Sequence, residues 1–219
     1  MKKNQSKEIV QNTHLESIKD KNLMLVDDHE MILIGLKNFL ESKTDWKVTG
    51  EARNINSAKK ILKNYNILPY IIVIDIELGE ESGFDLAAFV QENYPSIKII
   101  MYTMHDGNDY VLKAKQTKID GYVSKASDSD EFLKCIDSVY NGNDFLENRL
   151  KKGQALLDET LSLLTKRETL IFQEMLNGYS NEEISKILNV SKHSVEVYAT
   201  TIYEKTFCKN RSEFLKKFR

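Results

Sequence analysis

Four short apolar runs, each followed by a stretch of helical periodicity, limit this chain to a parallel sheet wound with crossover helices. The runs are LMLV (Leu23 to Val26), YIIVI (Tyr70 to Ile74), IKIIMY (Ile97 to Tyr102) and GYV (Gly121 to Val123). A further strand is expected near Lys47 to Ala52. Strand three has no alternation, which suits a central strand buried on both faces. The segment after strand one places Ile32, Leu33, Leu36, Phe39 and Leu40 on one helical face. Comparable helices are expected at Ser57–Tyr65, Phe84–Tyr94, Asn108–Thr117 and Asp130–Tyr140. Five strand-helix units in succession give the doubly wound α/β pattern, flavodoxin-like in class, followed by a small all-α domain.

Such sheets bind ligands beyond the carboxyl ends of their strands. Asp27, Asp28, Asp75, Thr103 and Lys125 all fall at those ends. A hard divalent cation such as Mg²⁺, or Mn²⁺ in its place, takes oxygen ligands and commonly one or two carboxylates. Two adjacent aspartates are costly unless a cation screens them. Asp75 would lie beside them if the strand order is 2-1-3-4-5. Its carboxylate is a candidate nucleophile toward a phosphoryl group. Thr103 is placed to hydrogen-bond one phosphoryl oxygen and Lys125 to pair with another.

This constellation resembles the receiver domain of bacterial two-component response regulators, over about Asn22 to Phe145. VDDHE (Val26 to Glu30), VIDIELGEESGFDL (Val73 to Leu86), MYT (Met101 to Thr103) and GYVSKA (Gly121 to Ala126) carry the resemblance. The successive intervals, 47 residues from Asp28 to Asp75, 28 from Asp75 to Thr103 and 22 from Thr103 to Lys125, agree with that family. The resemblance implies that Asp75 is the phosphoacceptor and that Asp27, Asp28 and Asp75 hold the metal with the backbone carbonyl of Glu77. It further implies that Tyr122 is the aromatic coupled to movement of Thr103. A loop or helix-start role is expected for His29. Met104 stands where the family usually has a small residue, and Glu77 and His105 occupy positions that tune phosphoryl lifetime.

After residue 145 the period becomes purely helical. Thr165 to Glu168 and Ser180 to Glu183 both read as capping boxes, and Asn189-Val190-Ser191 as a tight turn before a helix starting at Lys192. The stretch from Leu164 to about Leu215 resembles the LuxR-type helix-turn-helix of the NarL/FixJ branch. By that resemblance Lys192, His193, Ser194, Glu196, Val197, Thr200 and Lys205 are candidate DNA contacts, the helix entering the major groove. The charge is low for that task. Residues 161–219 carry ten basic residues against seven acids, and Ser191 to Lys205 two lysines against two glutamates. DNA affinity depends on phosphate neutralisation.

The expected organisation is therefore a flexible extension at 1–21, a receiver at 22–145, a linker at 146–160 and a helix-turn-helix domain at 161–219. The resemblance implies a transcription regulator that takes its phosphoryl group from a sensor histidine kinase. It would bind promoter DNA and form a homodimer when phosphorylated. Its only chemistry would be self-catalysed phosphoryl transfer and autodephosphorylation. The alternative is a phospho-switched protein-interaction module with weak or lost DNA binding. A phosphatase or haloacid-type hydrolase also uses a strand-end Asp, but leaves the helix-turn-helix unexplained. The two cysteines, Cys135 and Cys208, fit no metal or redox spacing and are expected to be reduced, in a cytoplasmic protein without a membrane span.

Overall fold

The computed structural model describes residues 21–65, 68–105 and 107–218. The expected N-terminal extension, apart from Lys21, lies outside the described residues. Contacts divide the chain into two compact units, one formed by residues up to 105 with 117–147, the other by 106–116 with 148–219.

The first unit is built on a parallel sheet of β1 (Asn22–Val26), β2 (Lys47–Ala52), β3 (Ile71–Ile74), β6 (Lys98–Thr103), β7 (Gly121–Ser124) and β8 (Phe145–Leu146). Their order is β2-β1-β3-β6-β7-β8. The first five strands thus take the 2-1-3-4-5 order on which the site depends. Every residue of β1, β3 and β7 is buried, as unbroken apolar runs demand when both faces are covered. Around the sheet run α1 (Glu30–Lys43), α2 (Ile55–Asn64), α3 (Gly83–Asn93) and α5 (Ser129–Tyr140). Leu33 and Leu40 of α1 are fully inward, with Leu36 and Phe39 packed beside them. Capping fixes two helix starts. Asn54 and Ser57 exchange side-chain and backbone hydrogen bonds at α2, and Asp128 accepts from the Glu131 N–H at α5.

Two small pairings were not expected from sequence. Phe145–Leu146 adds a sixth strand through contact with Gly121 and Tyr122. Between β3 and α3, β4 (Glu77–Leu78) and β5 (Glu81–Ser82) form an antiparallel hairpin turned by Gly79, whose φ is +69°. Two-residue strands carry no periodicity, so only their partners define them.

In the second unit α4 (Asn108–Gln116) packs on α6 (Asn148–Ser162), followed by α7 (Lys166–Leu176), α8 (Asn181–Ile187), α9 (Lys192–Thr206) and α10 (Arg211–Phe218). Residues 146–160, expected as a linker without clear period, are thus mostly helix α6. Leu150, Leu157 and Thr160 are its buried side, and Lys115 of α4 pairs with Asp158 at 2.6 Å. Good helix formers (Lys, Gln, Ala, Leu, Glu) supply the local preference that its few apolar positions do not advertise. Both expected capping boxes are present, Thr165 with Glu168 and Ser180 with Glu183. Gly178 leaves α7 with φ +94°, and Asn189 turns the chain toward α9 with φ +50°. Ile171, Phe172, Val195, Ile202, Phe214 and Phe218 form the core. Cys135 and Cys208 are free and buried.

Gly83, at the start of α3, lies directly under the end of β3. A Cβ there would fall 2.0 Å from the Asp75 carbonyl oxygen, a backbone atom that cannot rotate away. Gly83→Ala is therefore expected to destabilise the first unit by about 2 kcal/mol, as overpacking does. The single tryptophan, Trp46, is buried in this unit, so its fluorescence during urea unfolding measures the loss. An unchanged midpoint would mean that the backbone beneath Asp75 yields freely.

Candidate functional site

Register creates the site. Val26 of β1 lies opposite Ile74 of β3, so the next residues, Asp27 and Asp75, emerge side by side. The Asp75 N–H donates to the Val26 carbonyl at 2.9 Å and the Asp27 N–H to Ala52 at 3.1 Å. These bonds continue the ladder one residue past the strands and hold both aspartates rigidly. Both are buried. On the other side, Thr103 of β6 pairs with Ser124 of β7, and the Lys125 N–H donates to the Thr103 carbonyl at 2.8 Å.

The Lys125 ammonium reaches back across this edge. It lies 2.5 Å from Asp27 Oδ2 and 2.6 Å from Asp75 Oδ2, with its side chain only 9% exposed. Burial works against its charge, yet hydrogen bonds to Asp27 and Asp75, together with their negative charges, more than offset that cost. Its pKa stays above the ordinary lysine value.

Asp28 and His29 complete the cluster. His29 begins α1 as expected, but its side chain does not cap the helix. Its backbone N–H donates to Asp27 Oδ1 at 2.9 Å. Its imidazole Nδ1 stands 2.8 Å from Asp28 Oδ1 and 3.3 Å from Asp27 Oδ1. Asp28 Oδ1 is shielded from solvent and receives no hydrogen bond, which leaves a lone pair for a cation. One ligand atom from each of Asp27, Asp28, His29 and Asp75 lies within 4.8 Å of the others. This donor set can hold a divalent metal ion.

The remaining first-unit residues surround that centre. Thr103 is fully buried, and its hydroxyl accepts the His105 N–H at 3.3 Å. Tyr122 is also buried, its hydroxyl donating to the His105 carbonyl at 2.7 Å. The Glu77 side chain points outward and meets His105 Nε2 at 2.8 Å. Met104 is 66% exposed, so its thioether lies largely in solvent.

The candidate DNA-contact residues divide into two groups. Lys192, His193, Glu196, Val197 and Thr200 are exposed along α9, at spacings that share one helical face. The other two are engaged at helix ends. The Ser194 hydroxyl lies 2.7 Å from that of the N-cap Ser191. Lys205 turns inward, donating to both Glu168 carboxylate oxygens at 3.0 and 2.7 Å and to the Leu163 carbonyl at 3.2 Å. That bond from Lys205, followed by the Thr165 N–H, holds the Glu168 carboxyl below the usual glutamate range. The sequence marks Glu168 only as a capping residue and gives no sign of its partner 37 positions on.

The comparisons with known proteins agree with this architecture. Residues 23–137 match the family described as the response regulator receiver domain, and residues 162–217 match the luxR family of bacterial regulatory proteins. The response regulator protein VraR of Staphylococcus saprophyticus is 27% identical over 199 residues, covering 87% of this chain and 92% of the relative. The transcriptional regulatory protein ComA of Bacillus subtilis is 29% identical over 204 residues, covering 88% and 94%. Among solved structures, RcsB from Salmonella enterica serovar Typhimurium, bound to promoter DNA with phosphomimetic BeF₃⁻, superposes with a TM-score of 0.64. It is 21% identical, with 90% of this chain and 97% of that chain covered, a likeness of fold. Among the described residues no helix is long and apolar enough to cross a membrane.

The Glu168–Lys205 pair sets a pH signature. Because the folded carboxyl is held low, its stabilisation is complete above the ordinary glutamate pKa of 4.5 and fades as pH falls through the lower folded value. Glu168→Gln is expected to cost the second unit about 1–2 kcal/mol at neutral pH, measured by calorimetry of the full chain. The difference from wild type should shrink in acid; a gap that widens there would contradict the assignment.

The order of elements, the strand-end cluster and both family matches agree: this chain belongs to the response-regulator family, a NarL/FixJ-type protein with a receiver domain followed by a LuxR-type helix-turn-helix domain.

Proposed function

We propose that this response regulator, acting in the cytoplasm, takes a phosphoryl group onto Asp75 from a sensor histidine kinase and thereby controls promoter binding by its C-terminal domain. In this reading residues 22–145 receive the signal, residues 146–160 link the halves, and residues 161–219 deliver the output. The observation that carries the reading is the Lys125 ammonium set between Asp27 and Asp75. It supplies a positive charge beside the acceptor, where charge neutralisation and positioning make up most of phosphoryl-transfer catalysis.

Asp27, Asp28, Asp75 and the backbone carbonyl of Glu77 would hold Mg²⁺ or Mn²⁺. That ion supplies charge neutralisation at the phosphoryl oxygens. An Asp75 oxygen attacks phosphorus, the phosphorus–nitrogen bond of the phosphohistidine donor breaks, and its electron pair returns to the imidazole. Lys125 then exchanges its contact with the Asp75 carboxylate for a phosphoryl oxygen. The Thr103 hydroxyl leaves the His105 N–H to bond another, and Tyr122, tied to the His105 carbonyl, follows that loop. A local charge change of this kind biases a two-state element.

For the output, Lys192, His193, Glu196, Val197 and Thr200 offer the exposed face of α9 to the major groove. Ser194 would contact a phosphate near the helix start. Lys205 must give up Glu168 to reach DNA, which makes it the weakest of the candidate contacts. Two copies on paired half-sites would compensate for a helix with no net charge, so a phosphorylation-driven homodimer belongs to the reading.

A small-molecule phosphodonor with Mg²⁺ should add one phosphoryl group to the wild-type chain by intact mass, and none to Asp75→Ala. No gain on the wild type overturns the phosphoacceptor reading. For the output, Glu196→Lys is expected to tighten duplex DNA binding and steepen its log-log salt dependence by about one. Absence of wild-type binding at low salt would favour the protein-interaction alternative.

A further inference from the structure

On the outer edge of β7, the backbone donor next to Lys125 is satisfied by a side chain where a strand would ordinarily serve. Successive residues of a parallel strand turn their N–H and C=O groups to opposite neighbours. The Lys125 N–H faces β6, where it meets the Thr103 carbonyl, so Tyr122 and Ser124 face β8. There the Phe145 N–H donates to the Asp120 carbonyl at 2.8 Å and the Glu147 N–H to that of Tyr122 at 3.2 Å. Strand β8 ends at Leu146, one step short of the Ser124 N–H. Ser124 is fully buried, and a buried N–H left without an acceptor is costly. Glu147 supplies the acceptor. Its carboxylate Oε2 receives the Ser124 N–H at 3.0 Å, and the residue is itself only 5% exposed.

The turn that carries Lys125 rests on Ser124. The Ser124 hydroxyl accepts the Ala126 N–H at 3.2 Å, and its carbonyl accepts the Ser127 N–H at 3.1 Å. Between them the Lys125 N–H is held by Thr103 at 2.8 Å. Four successive N–H groups, from Ser124 to Ser127, are thereby fixed, and Glu147 fixes the first of them. A backbone held at every donor gives the Lys125 side chain a rigid base. Its ammonium needs one, because it is set between two particular carboxylates. Displacing such a group by about 1 Å can slow a reaction up to about a hundred-fold.

We propose that Glu147 is a positioning residue for phosphoryl uptake at Asp75, its carboxylate completing the outer edge of β7 at Ser124 and so holding Lys125 in place. The inference rests on the phosphoacceptor reading and adds to it a residue outside the strand-end cluster. Glu147 acts through Lys125 and touches no reacting atom. It immediately precedes α6, so the segment that leaves the receiver helps to set the receiver's chemistry.

The test is the initial rate of phosphoryl uptake by the full chain from phosphoramidate with Mg²⁺, followed by intact mass. Wild type is compared with Glu147→Gln, Glu147→Asp and Glu147→Ala. Gln keeps the length of the side chain and an amide oxygen that accepts the same N–H, so its rate should stay within about two-fold of wild type. Asp keeps the charge but falls short of Ser124, and Ala offers no acceptor; both should be slower by about ten-fold. Amide exchange at Ser124 should quicken in Asp and Ala and stay slow in Gln. Trp46 fluorescence confirms that each variant is folded under the assay conditions, and the Gln and Asp pair decides the matter should Ala not fold. Uptake by folded Glu147→Asp at the wild-type rate, or a Gln variant as slow as Asp, overturns the proposal. Failure of the underlying reading is seen separately, as no phosphoryl uptake by the wild-type chain.

Discussion

Three aspartates at the ends of two neighbouring parallel strands repel one another, and the Lys125 ammonium makes that arrangement tenable. Like charges about 4 Å apart at an effective dielectric near 20 cost about 4 kcal/mol. Bridging Asp27 and Asp75 from β7 converts much of that repulsion into two short, charge-assisted hydrogen bonds. The bridge also ties the far side of the sheet to the centre, because Lys125 itself hangs from the Thr103 carbonyl. Sheet order, strand register and the ammonium are thus one device. Remove the order β1-β3-β6-β7 and no lysine at the end of β7 could reach an aspartate at the end of β1.

The second unit uses charge differently. Four of its cations bond to carbonyls at or near helix ends. Lys205 closes on Glu168 and the Leu163 carbonyl, Arg211 on the carbonyls of Met175 and Tyr179, Lys217 on that of Thr206 and Arg167 on that of Leu188. Orphan carbonyls at helix ends attract such donors. A count of basic residues from sequence therefore overstates the charge available to a nucleic acid. What remains on the outer face of α9 is a mixed set, with His193 4.0 Å from Glu196. The sequence sets the low net charge of this helix, and the fold lowers the cation supply further by holding Lys205 on Glu168.

The legible parts of the fold were those with a long local signal. The buried runs of β1, β3 and β7 and the stripe on α1 extend over several residues, and period alone identifies them. Capping boxes at Thr165 and Ser180 were legible for another reason: both partners sit three residues apart. The two-residue strands β4, β5 and β8 lack that length. Helix α6 hid behind a polar composition in which only a few positions, Leu150 and Leu157 among them, face inward.

The candidate site divides along the same line. Sequence by itself determined which residues stand at strand ends, because a strand's end follows from where its apolar run stops. It thereby named Asp27, Asp28, Asp75, Thr103 and Lys125, and the spacing of their motifs identified the family. Tertiary structure alone decided how these side chains meet. It set Lys125 between two particular carboxylates, turned the His29 ring from the helix it starts toward Asp28, and withdrew Lys205 to Glu168. Those outcomes depend on partners tens of residues away or on a rotamer, and neither leaves a mark in local sequence. The physical reason is that strand and helix preferences are fixed by neighbours along the chain, while the pairing of charges is fixed by neighbours in space.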